Sequence, residues 1–107
     1  MSTTTITPSA IKKGIRFVNA QKMHEKHPKS FQKLPQKTLD NIKLGDTVKI
    51  SAYGERFWVE VIHIHKTKSY ETTGNRFVGR VDNELFTPKI KFNDLVRFRS
   101  YHIYNVY

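Results

Sequence analysis

Apolar and polar residues alternate with a period of two along most of the chain after residue 45. In the first such stretch, Val48 and Ile50 alternate with the polar residues Lys49 and Ser51. Because successive side chains of a strand point to opposite faces of a sheet, this alternation is typical of β-strands. With the turn-forming residues between them, the runs predict strands over 46–52, 56–65, 76–82, 85–87 and 95–99, followed by 101–106 as a last strand or as a one-turn helix and a shorter strand.

The number and length of these strands predict the fold class. Five or six short strands in so small a domain indicate a strongly bent sheet, because closure hides edges that a flat sheet would expose. We therefore predict a mainly β protein, with a small SH3-like barrel over residues 41–107. An OB-type barrel is the alternative, although it usually needs longer strands. Gly79, inside the third strand, predicts a bulge or a bend there.

Residues 1–40 follow a different pattern and form a basic N-terminal arm. Apolar residues recur there at three- and four-residue spacing, which predicts a helix over about 10–26 with Ser9 as its N-cap. Pro28 ends this helix, because the residue before a proline is disfavoured in the helical conformation. Residues 1–8 are rich in threonine and are predicted to be disordered. The arm is therefore expected to be partly helical and partly disordered.

Two segments of the chain repeat one pattern. Residues 44–50 and 92–98 both read apolar, Gly or Asn, Asp, any residue, Val, basic, apolar. Glycine and asparagine tolerate the left-handed conformation, and aspartate can accept a hydrogen bond from the nearby backbone. The pattern predicts the same tight turn before two different strands, which is a structural device and not an active site.

Several segments carry a resemblance when they are taken together. They are LGDTVK over 44–49, GERFWVEV over 54–61, GRVDNEL over 79–85, NDLVRF over 93–98 and YHI over 101–103, with a lead-in over 20–31. In this order they resemble an uncharacterised family of small β-domain proteins from bacteria and viruses. The resemblance covers about residues 19–106, and the second turn departs from it by having Asn93 in place of the usual glycine. It implies one compact β domain with an N-terminal extension and brings no catalytic residue.

The composition excludes several classes of protein. The 107 residues include no cysteine, which rules out disulfide scaffolds, thiolate zinc sites and cysteine nucleophiles. No apolar run approaches the roughly 20 residues of a membrane span, and the N-terminus lacks the basic and apolar segments of a secretory signal. We therefore predict a cytoplasmic protein, possessing no cofactor, that does not bind membranes.

Positive charge dominates the chain and is concentrated in the arm. Nineteen basic and nine acidic residues give a formal net charge of +10, and residues 1–44 contribute nine of the basic and two of the acidic ones. A charge of this sign favours anionic partners, and we predict that the domain binds nucleic acid, DNA or RNA, without catalysis. The phosphate-binding residues would be Lys49, Arg76, Arg80, Arg97 and Arg99 on the outward strand faces and Lys12, Lys13 and Arg16 in the arm.

Aromatic residues would add base stacking to the phosphate contacts. The candidates are Trp58, Tyr53, Tyr101 and Tyr104. A purely structural interpretation stays open, in which the basic residues pair with surface acids and Trp58 packs in the core. With the same aromatic residues as anchors, the alternative function is a protein-interaction module that binds an acidic protein, such as a regulator, an immunity partner or a host factor.

The histidines offer two lesser alternatives. His63 and His65 share one strand face, but two imidazoles lack the further ligands that a zinc site needs, so no metal site is predicted. A metal-independent ribonuclease would use residues such as His63, His65, His102, Arg99 and Tyr101. Any basic protein with five histidines permits such an arrangement, so we predict no catalytic residues. The oligomeric state stays open.

Overall fold

The alternating segments form a single five-stranded antiparallel sheet. The computed structural model describes residues 8–29, 34–66 and 75–107, and its strands are β1 (Thr47–Ala52), β2 (Glu55–His65), β3 (Arg76–Val81), β4 (Leu95–Arg99) and β5 (Asn105–Val106). The strand order across the sheet is β4-β3-β2-β1-β5. Two short α-helices accompany the sheet in these ranges, α1 (Ala20–Lys26) and α2 (Gln36–Asp40). The prediction of a mainly β fold is therefore confirmed.

Residues 85–87 do not form the predicted strand. The backbone N–H groups of Phe86 and Thr87 donate to the carboxylate of Glu55, at 2.9 and 2.6 Å, instead of to a neighbouring strand. At the end of the chain, the second of the two predicted arrangements is confirmed. A 3₁₀ turn at Ser100–His102 precedes the short strand β5.

β2 is long enough to pair with two neighbours in succession. Its residues 55–60 pair with β1, and its residues 59–65 pair with β3. The register shifts between Val61 and His63, so the irregularity predicted at Gly79 lies in the partner strand, where Val61 is directly opposite Gly79. β4 and β5 are the two edges of the sheet and do not pair with each other in the described part of the chain, so the sheet is not closed.

The apolar residues on the inward face of the sheet form the core. Phe57, Val59 and Val61 of β2 are buried, as the period of two predicts. Phe77 and Phe98 stack across β3 and β4 with their ring centroids 5.5 Å apart. Residues from the connecting segments complete the core, namely Leu39, Ile42, Ile90 and Ile103.

The helix predicted over 10–26 is wrong in its first half. α1 begins only after Asn19, whose Oδ1 accepts the N–H of Lys22 at 3.0 Å. Asn19, and not Ser9, is therefore the N-cap. Gly14 has a φ of +80°, a left-handed conformation that a right-handed helix cannot include.

Residues 11–18 cross the end of the sheet as a non-helical segment, which we call the N-terminal strap. At one end Ile11 forms a parallel bridge with β4, and at the other the N–H of Val18 donates to a carbonyl of β1 at 2.8 Å. Between them, Phe17 packs against two core phenylalanines, with ring centroids 6.3 and 6.5 Å apart. The strap is held by edge hydrogen bonding and by a core contact, which together outweigh its helical spacing of apolar residues.

The repeated sequence pattern forms the same turn twice, as predicted. Gly45 and Asn93 both have a positive φ, of 89° and 72°. The carboxylate of Asp46 accepts the N–H of the residue three positions before it at 2.9 Å, and the carboxylate of Asp94 does so at 2.7 Å. The first turn leads into β1, which pairs with the long strand β2, and the second leads into the edge strand β4. The same local turn therefore positions both strands.

The described α-helices lie within residues 1–40, and the strands follow them. None of the helices in residues 8–29, 34–66 and 75–107 has the length and apolar character that crossing a membrane requires. Residues 1–7, which hold most of the segment predicted to be disordered, lie outside the described residues.

Candidate functional site

Three arginines lie together on the outer face of the sheet, where β2, β3 and β4 run side by side. Arg76 of β3 is directly opposite Arg99 of β4, and Arg97 lies two residues before Arg99 on the same face. On the other side of β3, His65 is directly opposite Arg76, and His63 is two residues before it. Directly opposed residues share one face of a sheet. We call Arg76, Arg97 and Arg99 the arginine cluster.

The arginine cluster has no anionic partner among the described residues. None of its three guanidinium groups takes part in the ion pairs found there, which join Lys12 to Asp94 and Arg80 to Glu60 and Asp82. Like charges directly opposite each other in a sheet are destabilising, by roughly 0.2–1 kcal/mol. The cluster is therefore a place where an anion bound from solution would relieve repulsion.

One nitrogen of Arg99 is both buried and unsatisfied. Its Nη1 atom is inaccessible to solvent and has no hydrogen-bond partner in the described part of the chain. A buried donor left without an acceptor costs about 1–3 kcal/mol, and more when it is charged.

The N-terminal strap and the arginine cluster enclose a groove, which we call the strap groove. Its volume is about 390 Å³. The cationic residues that line it are Lys12, Lys13, Arg76, Arg97 and Arg99. The apolar residues that line it are Ile11, Ile15, Phe17 and Phe98. The strap therefore contributes two lysines and most of the apolar side, whereas the sheet contributes the arginines.

A second groove adjoins the first. It has a volume of about 330 Å³ and is lined by the two histidines of β2 and by residues of β3 and β4. Arg76 and Arg97 line both grooves. A ligand long enough to occupy both grooves could thus contact Arg76 and Arg97 from each of them.

Lys12 and Lys13 differ in how much of their charge is available. The ammonium of Lys12 lies 3.2 Å from the carboxylate of Asp94, whereas Lys13 is exposed and has no ion pair with a described residue. Arg16, the third predicted arm residue, is exposed and does not line the strap groove. Of the three, Lys13 adds the most positive charge to the site.

His102 lines the strap groove as a neutral side chain. Its Nδ1 accepts the backbone N–H of Arg99 at 2.9 Å. Burial, with a contribution from the charge of Arg99, lowers the pKa of His102 to about 4. The imidazole is therefore neutral at physiological pH and carries its proton on Nε2, which makes that atom a hydrogen-bond donor.

Arg80 lies on the same outer face but is already neutralised. Its guanidinium contacts Asp82 at 2.9 Å, Glu60 at 3.4 Å and the amide oxygen of Asn93 at 2.6 Å. The hydrogen bond to Asp82 is the largest of the effects that raise the pKa of Arg80. Arg80 therefore fits the structural interpretation, in which a basic residue pairs with surface acids.

Lys49 and Trp58 lie together, away from the strap groove. They are directly opposite each other on β1 and β2, and the ammonium of Lys49 is 4.8 Å from the centroid of the indole ring. The ring of Tyr107 meets the half-buried Trp58 edge-on, with centroids 4.4 Å apart. This aromatic patch is separate from the arginine cluster.

The three tyrosines that were candidates for stacking occupy three different environments. Tyr53 is 41% exposed, with the ammonium of Lys89 4.9 Å from its ring. Tyr101 is half-buried beside His102. Tyr104 is buried, and burial raises the pKa of its hydroxyl to about 12. None of the three lines either groove.

The apolar side of the strap groove escaped the sequence analysis. The spacing of apolar residues predicts a helix that includes Ile15 and Phe17, so nothing in the pattern places them beside strand residues. Gly14 was the one local signal against that helix. The described residues also hold no group of three His, Asp or Glu side chains that could bind a metal ion.

No family model, no curated protein and no solved structure matches the chain. The resemblance of its motifs to the uncharacterised β-domain family therefore stays a prediction.

Proposed function

We propose that the protein binds nucleic acid. The arginine cluster, together with Lys13 and Lys12, would contact the phosphate backbone of the nucleic acid. One observation carries the proposal: three guanidinium groups share one face with no acidic partner among the described residues. Guanidinium groups bind phosphate with two parallel hydrogen bonds, which suits a surface that must hold a polyanion. Binding would release counterions and would depend strongly on salt.

We also propose that the sheet is an SH3-like barrel. The long strand β2, which pairs with β1 along its first half and with β3 along its second, supports such a strongly bent arrangement. The strap adds to this support, because it spans from β4 to β1 across one end of the sheet. In this arrangement the arginine cluster lies on the outside of the barrel and is open to a long ligand.

Fluorescence anisotropy tests the proposed function. Labelled single- and double-stranded DNA and RNA are titrated with the full chain at several salt concentrations. Each phosphate contact contributes a slope of about −0.7 (single strand) to −0.9 (duplex) in a plot of log K against log salt. We expect Arg97→Gln and Arg76→Gln each to reduce the steepness of the slope by about one contact.

The matched control removes one positive charge elsewhere. Lys37 is exposed on α2 and does not line either groove, so Lys37→Gln should leave the slope unchanged. Equal effects of Lys37→Gln and Arg97→Gln would show that only net charge matters and would overturn the assignment of the site. No binding to any of the four nucleic acids at low salt would overturn the function, and an acidic protein partner would then be sought.

A further inference from the structure

The strap groove is lined by residues of two chemical kinds. The cationic ones are Lys13 and the arginine cluster. The apolar ones are Ile15 and Phe17, which are partly exposed, and Ile11 and Phe98, which are 6% and 1% exposed. A site for the phosphate backbone alone needs only the cationic residues. An apolar wall directly beside a cluster of cations fits a ligand that is itself anionic at one end and flat and apolar at the other.

We propose that the strap groove binds one unpaired nucleotide, with its phosphate against the arginine cluster and its base against the apolar side formed by the strap. The inference rests on the proposed function and makes it more specific: the protein would prefer single-stranded nucleic acid to a duplex. A base in a duplex is stacked and paired, so it has no free face to offer to the strap.

The size of the strap groove agrees with this ligand. Its volume of about 390 Å³ lies within the range of roughly 300–1,000 Å³ that is usual for small-molecule sites. A double helix cannot enter such a groove and could contact only its rim. A single extruded nucleotide can enter, as bases do in proteins that stack unpaired bases on apolar and aromatic side chains.

One polar group of the groove also fits this ligand. His102 accepts the N–H of Arg99 through Nδ1, which leaves Nε2 to donate. A neutral donor beside an apolar wall suits the oxygen and nitrogen acceptors on the edge of a base.

The adjoining groove accounts for the neighbouring part of the strand. It shares Arg76 and Arg97 with the strap groove and adds His63 and His65, with no acidic residue lining it. The shared arginines would contact the phosphate between two successive nucleotides. The preference for a strand over a free nucleotide follows from this second set of contacts.

The first experiment compares one oligonucleotide in two forms. A labelled single strand and the same strand in a duplex are titrated by fluorescence anisotropy at one salt concentration. We expect the single strand to bind at least tenfold more tightly. Equal binding of the two forms would overturn the nucleotide inference and leave the proposed function intact, whereas no binding of either form would overturn both.

The second experiment locates the base by NMR. Thymidine 5′-monophosphate and inorganic phosphate are titrated separately into the ¹⁵N-labelled full chain. We expect both ligands to shift the amide signals of Arg97 and Arg99, and only the nucleotide to shift those of Ile15 and Phe17. Identical shifts and equal affinity for the two ligands would show a simple anion site and would overturn the inference.

Two substitutions separate the sides of the groove. Phe17→Leu keeps an apolar residue against the core and should weaken single-strand binding at least threefold, with duplex binding unchanged. Arg99→Lys keeps the charge but removes the planar donor array, so it should weaken binding of both forms. Thermal unfolding of both variants checks the fold, and the NMR titration of the unsubstituted chain does not depend on them. An acidic peptide that competes as well as the single strand would overturn the inference.

Discussion

Arg76 lies directly opposite Arg99 across the β3–β4 ladder, and neither has an ion pair with a described residue. Arg80 lies on the same face of β3, four residues after Arg76, and its guanidinium contacts the carboxylates of Asp82 and Glu60. The sheet thus neutralises one arginine internally and leaves an opposed pair without an anion. Removing a charge from the opposed pair should therefore change stability and nucleic-acid binding in opposite directions.

Arg76→Gln should stabilise the protein while it weakens nucleic-acid binding. Removing one member of a directly opposed like-charged pair should raise the free energy of unfolding by roughly 0.2–1 kcal/mol. Urea unfolding followed by tryptophan fluorescence gives this value, with the single indole of Trp58 as the probe. Added salt should reduce the difference between the variant and the unsubstituted protein, because it screens the repulsion.

Arg80→Gln is the matched control for Arg76→Gln. It removes the same charge from the same strand, but it also breaks the contacts with Asp82, Glu60 and Asn93. We expect it to lower the free energy of unfolding, by about 0.2–1 kcal/mol for exposed pairs of this kind. If both substitutions change stability in the same direction, the strain assigned to the opposed arginines is absent.

The strands and turns of this fold could be predicted because their signals are local. The alternation around Val48 and Ile50 and the aspartates at positions 46 and 94 act over a few residues, and the structure confirms them. For the helix predicted over 10–26, Gly14 is a local signal against the first half, but it does not indicate what this segment forms instead. Residues 11–18 are held by hydrogen bonds to β4 and β1, which are distant in the chain.

The candidate site could be predicted only in part, for the same physical reason. Alternation places Arg76, Arg97 and Arg99 on an outward face, but it equally places Lys49 and Arg80 there. Strand order and register decide which outward residues meet. They bring the three arginines together. They place Lys49 opposite Trp58 and Arg80 opposite Glu60.

The repeated turn predicts that asparagine is tolerated better than alanine at position 45. Its φ of +89° is left-handed, and a Cβ there would meet no heavy atom of the described residues within 4 Å. Gly45→Ala should therefore lose about 1–2 kcal/mol from backbone strain alone. Gly45→Asn should lose clearly less, because Asn93 already holds the equivalent position with a φ of 72°. Urea unfolding compares them, and equal losses would show that the two turns are not equivalent.

Gly79→Ala should destabilise the protein for a steric reason instead. A Cβ at Gly79 would lie 2.9 Å from Cε1 of Phe98 and 3.1 Å from the carbonyl oxygen of Glu60. Overpacking of this kind typically costs about 1–3 kcal/mol. In a protein that already carries Phe98→Leu, Gly79→Ala should lower the free energy of unfolding by less, because the smaller side chain removes the closest contact. A double-mutant cycle measures this coupling, and strict additivity would show that the ring of Phe98 is not what limits the site.

The pH dependence of stability should show the neutral state of His102. Burial and the charge of Arg99 lower its pKa to about 4 in the folded protein, whereas an exposed histidine in the unfolded chain titrates near 6.5. As the pH falls from about 6.5 to about 4, the unfolded chain takes up a proton at this position and the folded protein does not. The free energy of unfolding should therefore decrease over this window, with a slope from this group of at most about 1.4 kcal/mol per pH unit.

His102→Asn tests this assignment because it removes the titration and keeps an acceptor. The amide oxygen of asparagine can take the place of Nδ1, which accepts the N–H of Arg99 at 2.9 Å. Urea unfolding between pH 4 and 7 should give a flatter profile for this variant than for the unsubstituted protein. An equally steep profile for His102→Asn and for the unsubstituted protein would show that this imidazole does not cause the pH dependence.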